Sequence, residues 1–187
     1  GAVKPVLDWL TTLPTRELDA HPNLWIAYAS ALLFVGQLAR IEPMLQAAEA
    51  VLPADPTDAA TRDLVGRIAS IRATVAVSQH QAATIIAQAQ RALVYLRPEN
   101  LPVRTATTWA LGYAYELQGN RSAARQSYTA AVAAAEAGGH FIMHLMSTLG
   151  IAHMQEADNQ LAQAAPSYRM ALKLAGDPPL PAAAGAH

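Results

Sequence analysis

The segment from Thr105 to Gly138, TATTWALGYAYELQGNRSAARQSYTAAVAAAEAG, restricts the choice of fold more than any other part of the chain. Trp109, Leu111, Gly112 and Tyr115 recur with the 3.6-residue period of a helix. Gly119-Asn120 then interrupts the pattern with a residue suited to positive φ, followed by a good N-cap. A second stripe follows at Ala124, Tyr128, Ala131 and Val132. The spacing predicts two helices joined by one tight turn. Gly112 and Ala124 have so little bulk that two backbones can approach closely, and Tyr115 and Tyr128 fill the space beside them.

The rest of the chain agrees with a helical fold. It has 187 residues, of which 52% are hydrophobic, and alanine, the best helix former, is abundant. A chain of this length can bury roughly 70% of its unfolded surface. No clear period-2 run marks a strand. The formal charge is −1 and 14% of residues are charged, which argues against a nucleic-acid surface, since that would be basic and clustered. Cysteine is missing, so neither a disulfide framework nor a thiolate zinc site is open to the chain. No apolar run reaches the roughly 18–20 residues that span a bilayer, and no signal peptide is visible. We read the chain as an excised piece of a longer protein, with Gly1 as a scar of the excision.

Taken in order, residues 1–21 form an N-terminal cap of two short helices, VLDWLTTL and TRELDA, separated by Pro14 and with Thr15 capping the second. Residues 22–175 form the main domain. Pro22 opens a long helix that Gly36 closes, and the next runs from about Leu38 to Leu52. ADPTD (54–58) is a loop, in which Thr57 or Asp58 caps a helix reaching about Val77. Ser78 to Gln81 turn, another helix runs to Leu96, and RPEN (97–100) is a break. The hairpin described first comes next and ends at Gly138-Gly139. A last pair spans His140 to about Glu156 and Gln160 to Ala175. Residues 176–187, a Pro/Ala-rich tail, show no helical stripe. Gly36, His80, Gly119 and Asn159 take equivalent turn positions. Twelve residues after each stands an alanine (Ala48, Ala92, Ala131, Ala171), and nine after each stand Leu45, Ala89, Tyr128 and Tyr168. The alanines are 44, 39 and 40 residues apart. Pro43 and Pro166, each seven residues after its turn, are expected to delay or kink the second helix, because proline has no N–H.

This order of small and aromatic residues resembles a tetratricopeptide (TPR) repeat, although the ordinary repeat is 34 residues long. More narrowly, the opening WLTTLPTRELDAHPNLWIAYASALLFVGQL is similar to the sensor region of MalT-like regulators, the large ATP-dependent, LuxR-type bacterial activators. Its carriers are Trp9-Leu10, Leu13-Pro14, Pro22, Leu24, Ala31 and Gly36. VGRIASIRATVA (65–76) and ALGYAYELQGNRSAARQSYTAAV (110–132) resemble the same region, and the likeness extends to about Gly176. It implies an all-α, right-handed TPR-like superhelix of about four hairpins with repeats of roughly 40 residues, acting in the cytoplasm. It also implies a sensor that receives a small inducer, an oligosaccharide in the best-known member, or a regulatory protein. A nucleotide-binding module would precede it and a helix-turn-helix domain follow it. This chain holds neither G-x-x-x-x-G-K-[ST] nor an evident DNA-reading helix, so ATP and DNA would be handled by those other domains. No cofactor is expected in this piece, nor contact with nucleic acid or membrane. His80 and Asn159 depart from the usual turn glycine, and two extra residues separate Gly150 from its turn when it is matched to Gly112.

Few residues suggest chemistry. His140 and His144, four apart in HFIMH, have a spacing that suits zinc, with His153 farther along, but no glutamate or thiolate joins them. No G-x-S-x-G elbow and no isolated carboxylate pair points to an enzyme. The candidate binding face consists of Trp109, Tyr113 and Glu116, with Arg67, Ser70 and Thr74 in the preceding repeat and His144 and Ser147 in the following one. Their offset from the packing stripe predicts an inward groove with aromatic surface and hydrogen-bonding groups, fit for a sugar-like or peptide ligand. The competing reading is that Trp109 packs against the next repeat. A plain TPR scaffold that binds only protein is the alternative function. Arg72 is expected to be structural, with its stem buried and its head paired.

Overall fold

A computed structural model describes residues 3–176, so the tail from residue 177 and the first two residues lie outside the described part. Ten α-helices and one 3-10 turn make up the described residues, and no strand occurs among them. The helices are α1 (Val3–Thr12), α2 (Thr15–Ala20), α3 (Pro22–Phe34), α4 (Ile41–Ala50), α5 (Ala59–Ser78), α6 (Ala82–Tyr95), α7 (Leu101–Leu117), α8 (Arg121–Gly138), α9 (Phe141–Ala157) and α10 (Leu161–Gly176). They pair as four hairpins, α3/α4, α5/α6, α7/α8 and α9/α10, while α1 and α2 pack on α3. The chain divides into two compact units, one ending at Asn100 and one beginning at Leu101.

The four turns share one backbone solution. Gly36, His80, Gly119 and Asn159 have φ of 74°, 54°, 72° and 58°. Each is preceded by a helix whose last carbonyls it closes. The N–H groups of Gln37, Gln81, Asn120 and Gln160 reach back to the carbonyls of Leu32, Ala76, Tyr115 and Gln155 at 2.8–3.1 Å. These six-to-one bonds, with the left-handed residue before each donor, are the Schellman arrangement. A glycine pays no steric penalty there, which is why a turn glycine was legible. Histidine and asparagine hold the same conformation where the hairpin geometry requires it. Gly139, φ 66°, ends α8 in the same way.

The alanines twelve residues beyond the turns are all interior: Ala48, Ala92 and Ala131 are fully buried and Ala171 nearly so. They let the second helix of each hairpin lie close to the first. Capping follows the expected chemistry at two sites. Asp58 accepts from the Thr61 N–H at 2.8 Å, and Asn120 accepts from the Ala123 N–H at 3.2 Å.

Four expectations need correction. Pro14, not Thr15, occupies the cap position of α2, and Thr15 is its first helical residue. The stretch from Leu38 begins as a 3-10 turn, Leu38–Arg40, before α4 starts at Ile41. Pro43 thus falls in the first turn of α4, where its missing N–H would lack a helical acceptor anyway. Pro166 produces no such delay: α10 is helical from Leu161 and runs through it. The two extra residues counted beside Gly150 are not an insertion. Helices α7 and α9 each have 17 residues and end two residues before their turn residue. Ala152, seven residues before Asn159, is the counterpart of Gly112, and Gly150 serves a different contact.

That contact is the centre of the second unit. A Cβ on Gly112 would lie 2.6 Å from the Tyr128 ring, and a Cβ on Gly150 would lie equally close to it. Tyr128 is 1% exposed. Its ring is thus held between a glycine of its own hairpin and a glycine of the next. Neither position tolerates even a methyl group without moving the ring.

Candidate functional site

The expected binding residues fall in both units. In the second unit, Trp109 and Tyr113 sit one helical turn apart on α7 and stack at 5.9 Å with 10° between ring planes. Both are half-buried. Trp109 also packs, with Tyr115 and Ile151, on the cluster of Ala124, Tyr128 and Met154. Met154 and Ile151 belong to the next hairpin, so Trp109 has the packing role that competes with a binding one. Glu116 accepts a 2.6 Å hydrogen bond from the Tyr128 hydroxyl. Burial and this carboxylate together hold the Tyr128 phenol well above the ordinary tyrosine range, because a phenolate there would lose water and face a negative neighbour. Tyr168 repeats the bond with Glu156, and that hydrogen bond pushes its hydroxyl up to about 12.

The other second-unit residues are drawn inward. Ser147 is fully buried, and its Oγ has no hydrogen-bond partner among the described residues. His144 Nε2 lies 3.3 Å from a Glu136 carboxylate oxygen across the α8–α9 seam. Among the described residues no group of three or more His, Asp or Glu gathers to hold a metal. An apolar cavity of about 420 Å³ opens at the start of α9, lined by Pro102 and residues 139–143.

In the first unit, Ser70 is buried, and Thr74 returns its hydroxyl to the Ser70 carbonyl at 3.0 Å. Both therefore serve the interior of α5. Arg67 is half-buried on the same helix. The more developed polar site lies elsewhere and was missed by the sequence reading. Arg72 on α5 reaches α4, donating to Glu42 at 2.8 and 3.1 Å and to Glu49 at 2.7 and 2.8 Å. Arg91 on α6 approaches Glu49 at 3.6 Å. The Arg72 hydrogen bond, outweighing burial, holds the Glu49 carboxyl below its ordinary value, and the same bonds hold Arg72 protonated. The structural role expected of Arg72 is the one observed.

Beside this clamp is a cavity of about 300 Å³, lined by Glu42, Arg72, Val75, Ala76, Gln79, Gln81, Thr84 and Gln88. Gln88 Oε1 is buried there and has no hydrogen-bond partner among the described residues. Such an acceptor costs free energy unless a donor reaches it. The pocket combines amide, hydroxyl and carboxylate groups with an apolar floor from Val75 and Ala76. Its residues come from three helices, so no single stretch of sequence displays them together. Only the helical spacing of Gln81, Thr84 and Gln88 along the start of α6 could have signalled a polar face.

No helix among the described residues is long and apolar enough to cross a membrane. A family model described as the MalT-like TPR region matches residues 66–187. No curated protein and no solved structure matches the chain.

Proposed function

This chain belongs to the family of MalT-like TPR regions, and from that premise we propose that it is a sensor module that takes a small, neutral, sugar-like ligand into the polar pocket of its first unit. The observation that carries the reading is the convergence of amide, hydroxyl and carboxylate side chains from three helices on one cavity, with Gln88 in its lining. Ligand hydroxyls would pair with Thr84, Gln79, Gln81 and the half-exposed Glu42, which together offer donors and acceptors. Glu42 and Glu49 already balance Arg72, so the pocket has no spare cation for an anionic ligand. The volume is at the lower end for small-molecule sites and suits one or two sugar rings. Occupancy would tie α4, α5 and α6 together, favouring one arrangement of the hairpins over others. Nucleotide-binding and DNA-reading domains of such a regulator would receive that change.

The test is calorimetric titration with a panel of neutral mono-, di- and trisaccharides. Binding is expected, lost in Gln88→Leu and Thr84→Val and kept in Trp109→Ala. Absence of binding across the panel, or binding that survives both pocket substitutions, rejects the pocket. Binding weakened by Trp109→Ala, with the melting midpoint unchanged, would place the site on the Trp109, Tyr113 face instead. A protein-binding TPR scaffold remains the second reading, favoured by large apolar side chains left exposed on the last hairpin, Ile142, Leu161 and Leu172 among them.

A further inference from the structure

The Arg72 clamp continues to one more charge, and there the pairing is incomplete. Arg72 donates to both oxygens of Glu49, at 2.7 and 2.8 Å. Arg91 on α6 comes no nearer to Glu49 than 3.6 Å, too far for a hydrogen bond. Its guanidinium makes no hydrogen bond among the described residues, and both side chains reach solvent, Arg91 being 44% and Glu49 32% exposed. A cavity of about 160 Å³ opens on this pair. Leu52, Pro53, Pro56 and Val65 give it an apolar wall, of which Pro56 and Val65 are buried. Tyr95 lines it from α6, its ring held by the Arg62 guanidinium 4.8 Å from the centroid. Helices α4 and α6 both end beside the cavity, at Ala50 and Tyr95, so the negative ends of two helix dipoles lie near it. None of its lining residues belongs to the polar pocket of Glu42 and Gln88.

We propose that this second cavity binds a free α-amino acid with an aliphatic side chain, its carboxylate on Arg91, its ammonium on Glu49 and its side chain against Leu52, Pro56 and Val65. An α-amino acid carries opposite charges on one carbon, adjacent to each other as the Arg91 and Glu49 head groups are. It therefore gives both groups a charged partner at once. Arg72 takes one lone pair on each Glu49 oxygen, and each oxygen has a second to offer an ammonium. A ligand with one charge fits less well. A plain anion would face Glu49, which Arg72 keeps ionised, and a plain amine would face Arg91. Glu42, Arg72, Glu49 and Arg91 sum to zero, and a zwitterion leaves that balance intact. The volume equals that of about five water molecules in the liquid, room for one such molecule and too little for an oligosaccharide. The proposal stands apart from the sugar pocket, and either can fail without the other.

The probes are L-valine and L-leucine, titrated calorimetrically against the whole chain. Binding of at least one is expected. Two relatives of leucine separate the charges without altering the protein: 4-methylpentanoate lacks the ammonium, and leucinamide lacks the carboxylate. Each should bind at least about tenfold more weakly than leucine, a loss of about 1.4 kcal/mol. Arg91→Gln should produce a loss of the same size with an unchanged melting midpoint, because Arg91 is exposed and hydrogen-bonds to nothing in the fold. Arg169→Gln, an exposed arginine of the second unit, should leave binding as it was. Failure of both amino acids to bind overturns the proposal, as does binding that survives Arg91→Gln. Equal affinity for 4-methylpentanoate would make the cavity an anion site and also overturn it. Leucine binding abolished by Thr84→Val would assign the ligand to the other pocket, with the same consequence.

Discussion

The seam between the first two hairpins and the seam between the last two both combine apolar packing with ion pairs, Arg121 and Arg125 reaching Asp158 across the second, but they differ in what fills the closest approach. Eight residues, 51–58, connect α4 to α5, and α5 meets α4 only sparingly. Ile68 and Ile71 of α5 join the apolar core of the first hairpin, and beside them the long side chain of Arg72 is clamped on Glu42 and Glu49 next to a polar cavity. Two residues, Gly139 and His140, connect α8 to α9, and the helices lie in close contact. That seam is filled by the Tyr128 ring between Gly112 and Gly150. At the hairpin positions occupied by Glu116 and Tyr128, the first two hairpins have Leu33 with Leu45 and Val77 with Ala89. A shared backbone register therefore does not dictate how neighbouring repeats adhere. The short connection goes with close approach and glycine, whereas the long one leaves room beside the apolar contact for an arginine clamp and a cavity.

The largest effect expected from this contrast is at Tyr128. Tyr128→Ala empties the glycine slot and should destabilise the second unit by about 3–5 kcal/mol. Tyr168→Ala, at the equivalent but partly exposed position, should cost clearly less, about 1–2 kcal/mol. Similar losses in the two variants, measured by denaturant unfolding, would break the comparison. Next comes overpacking. Gly112→Leu and Gly150→Leu should each cost about 1–3 kcal/mol, since the Tyr128 ring must give way. An unchanged melting midpoint in either would show that the slot has room.

The charged seam should respond more weakly. Arg72→Met keeps most of the stem but takes the clamp from Glu42 and leaves Glu49 only the 3.6 Å approach of Arg91. Both carboxylates are partly exposed, so the loss should be about 1–2 kcal/mol, between the surface and buried limits for ion pairs. It should shrink in high salt, whereas the Tyr128 variants should not respond to salt. Thermal unfolding at two ionic strengths separates the cases.

The smallest effects are those of pH, and they have opposite signs. The Glu49 carboxyl is held below its ordinary value of 4.5, so its contribution is complete above 4.5 and is lost as pH falls through the lower folded value. The phenols of Tyr128 and Tyr168 are held above 10, so their contribution is complete below 10 and is lost as pH rises beyond it. Hydrogen exchange read by peptide mass should therefore show the segments about Arg72 loosening first in acid. Those about Tyr128 should loosen first in alkali. The reverse order would contradict the assignment of the Arg72 clamp to one seam and the enclosed Tyr128 ring to the other.

Much of this organisation could be read from the chain, because the helical period, the turn residues and the buried alanines are local or repeat at fixed spacing. The positive-φ turns at His80 and Asn159 were placed by alignment with Gly36 and Gly119, without a glycine of their own. The contacts of individual side chains were less accessible. Glu116 was expected to face a ligand, but it lies twelve residues from Tyr128, just where the hairpin brings the two together. Ser70 and Ser147 have the polarity of groove residues, yet both are buried. The polar pocket escaped notice because its lining joins Glu42 to Gln88, residues far apart in sequence.

By itself, then, the sequence determined the helices, the four equivalent turns, the family and the need for small residues at Gly112 and the buried alanines. These follow from backbone conformation, periodicity and size, which each residue carries wherever it is placed. Only the tertiary structure decided that Gly150 receives the Tyr128 ring of the preceding hairpin, and that Arg72 is clamped on two carboxylates of another helix. It likewise decided that Tyr168 stays partly exposed where Tyr128 is enclosed. Those outcomes depend on which helix lies against which, and on how closely the connecting segment lets it approach.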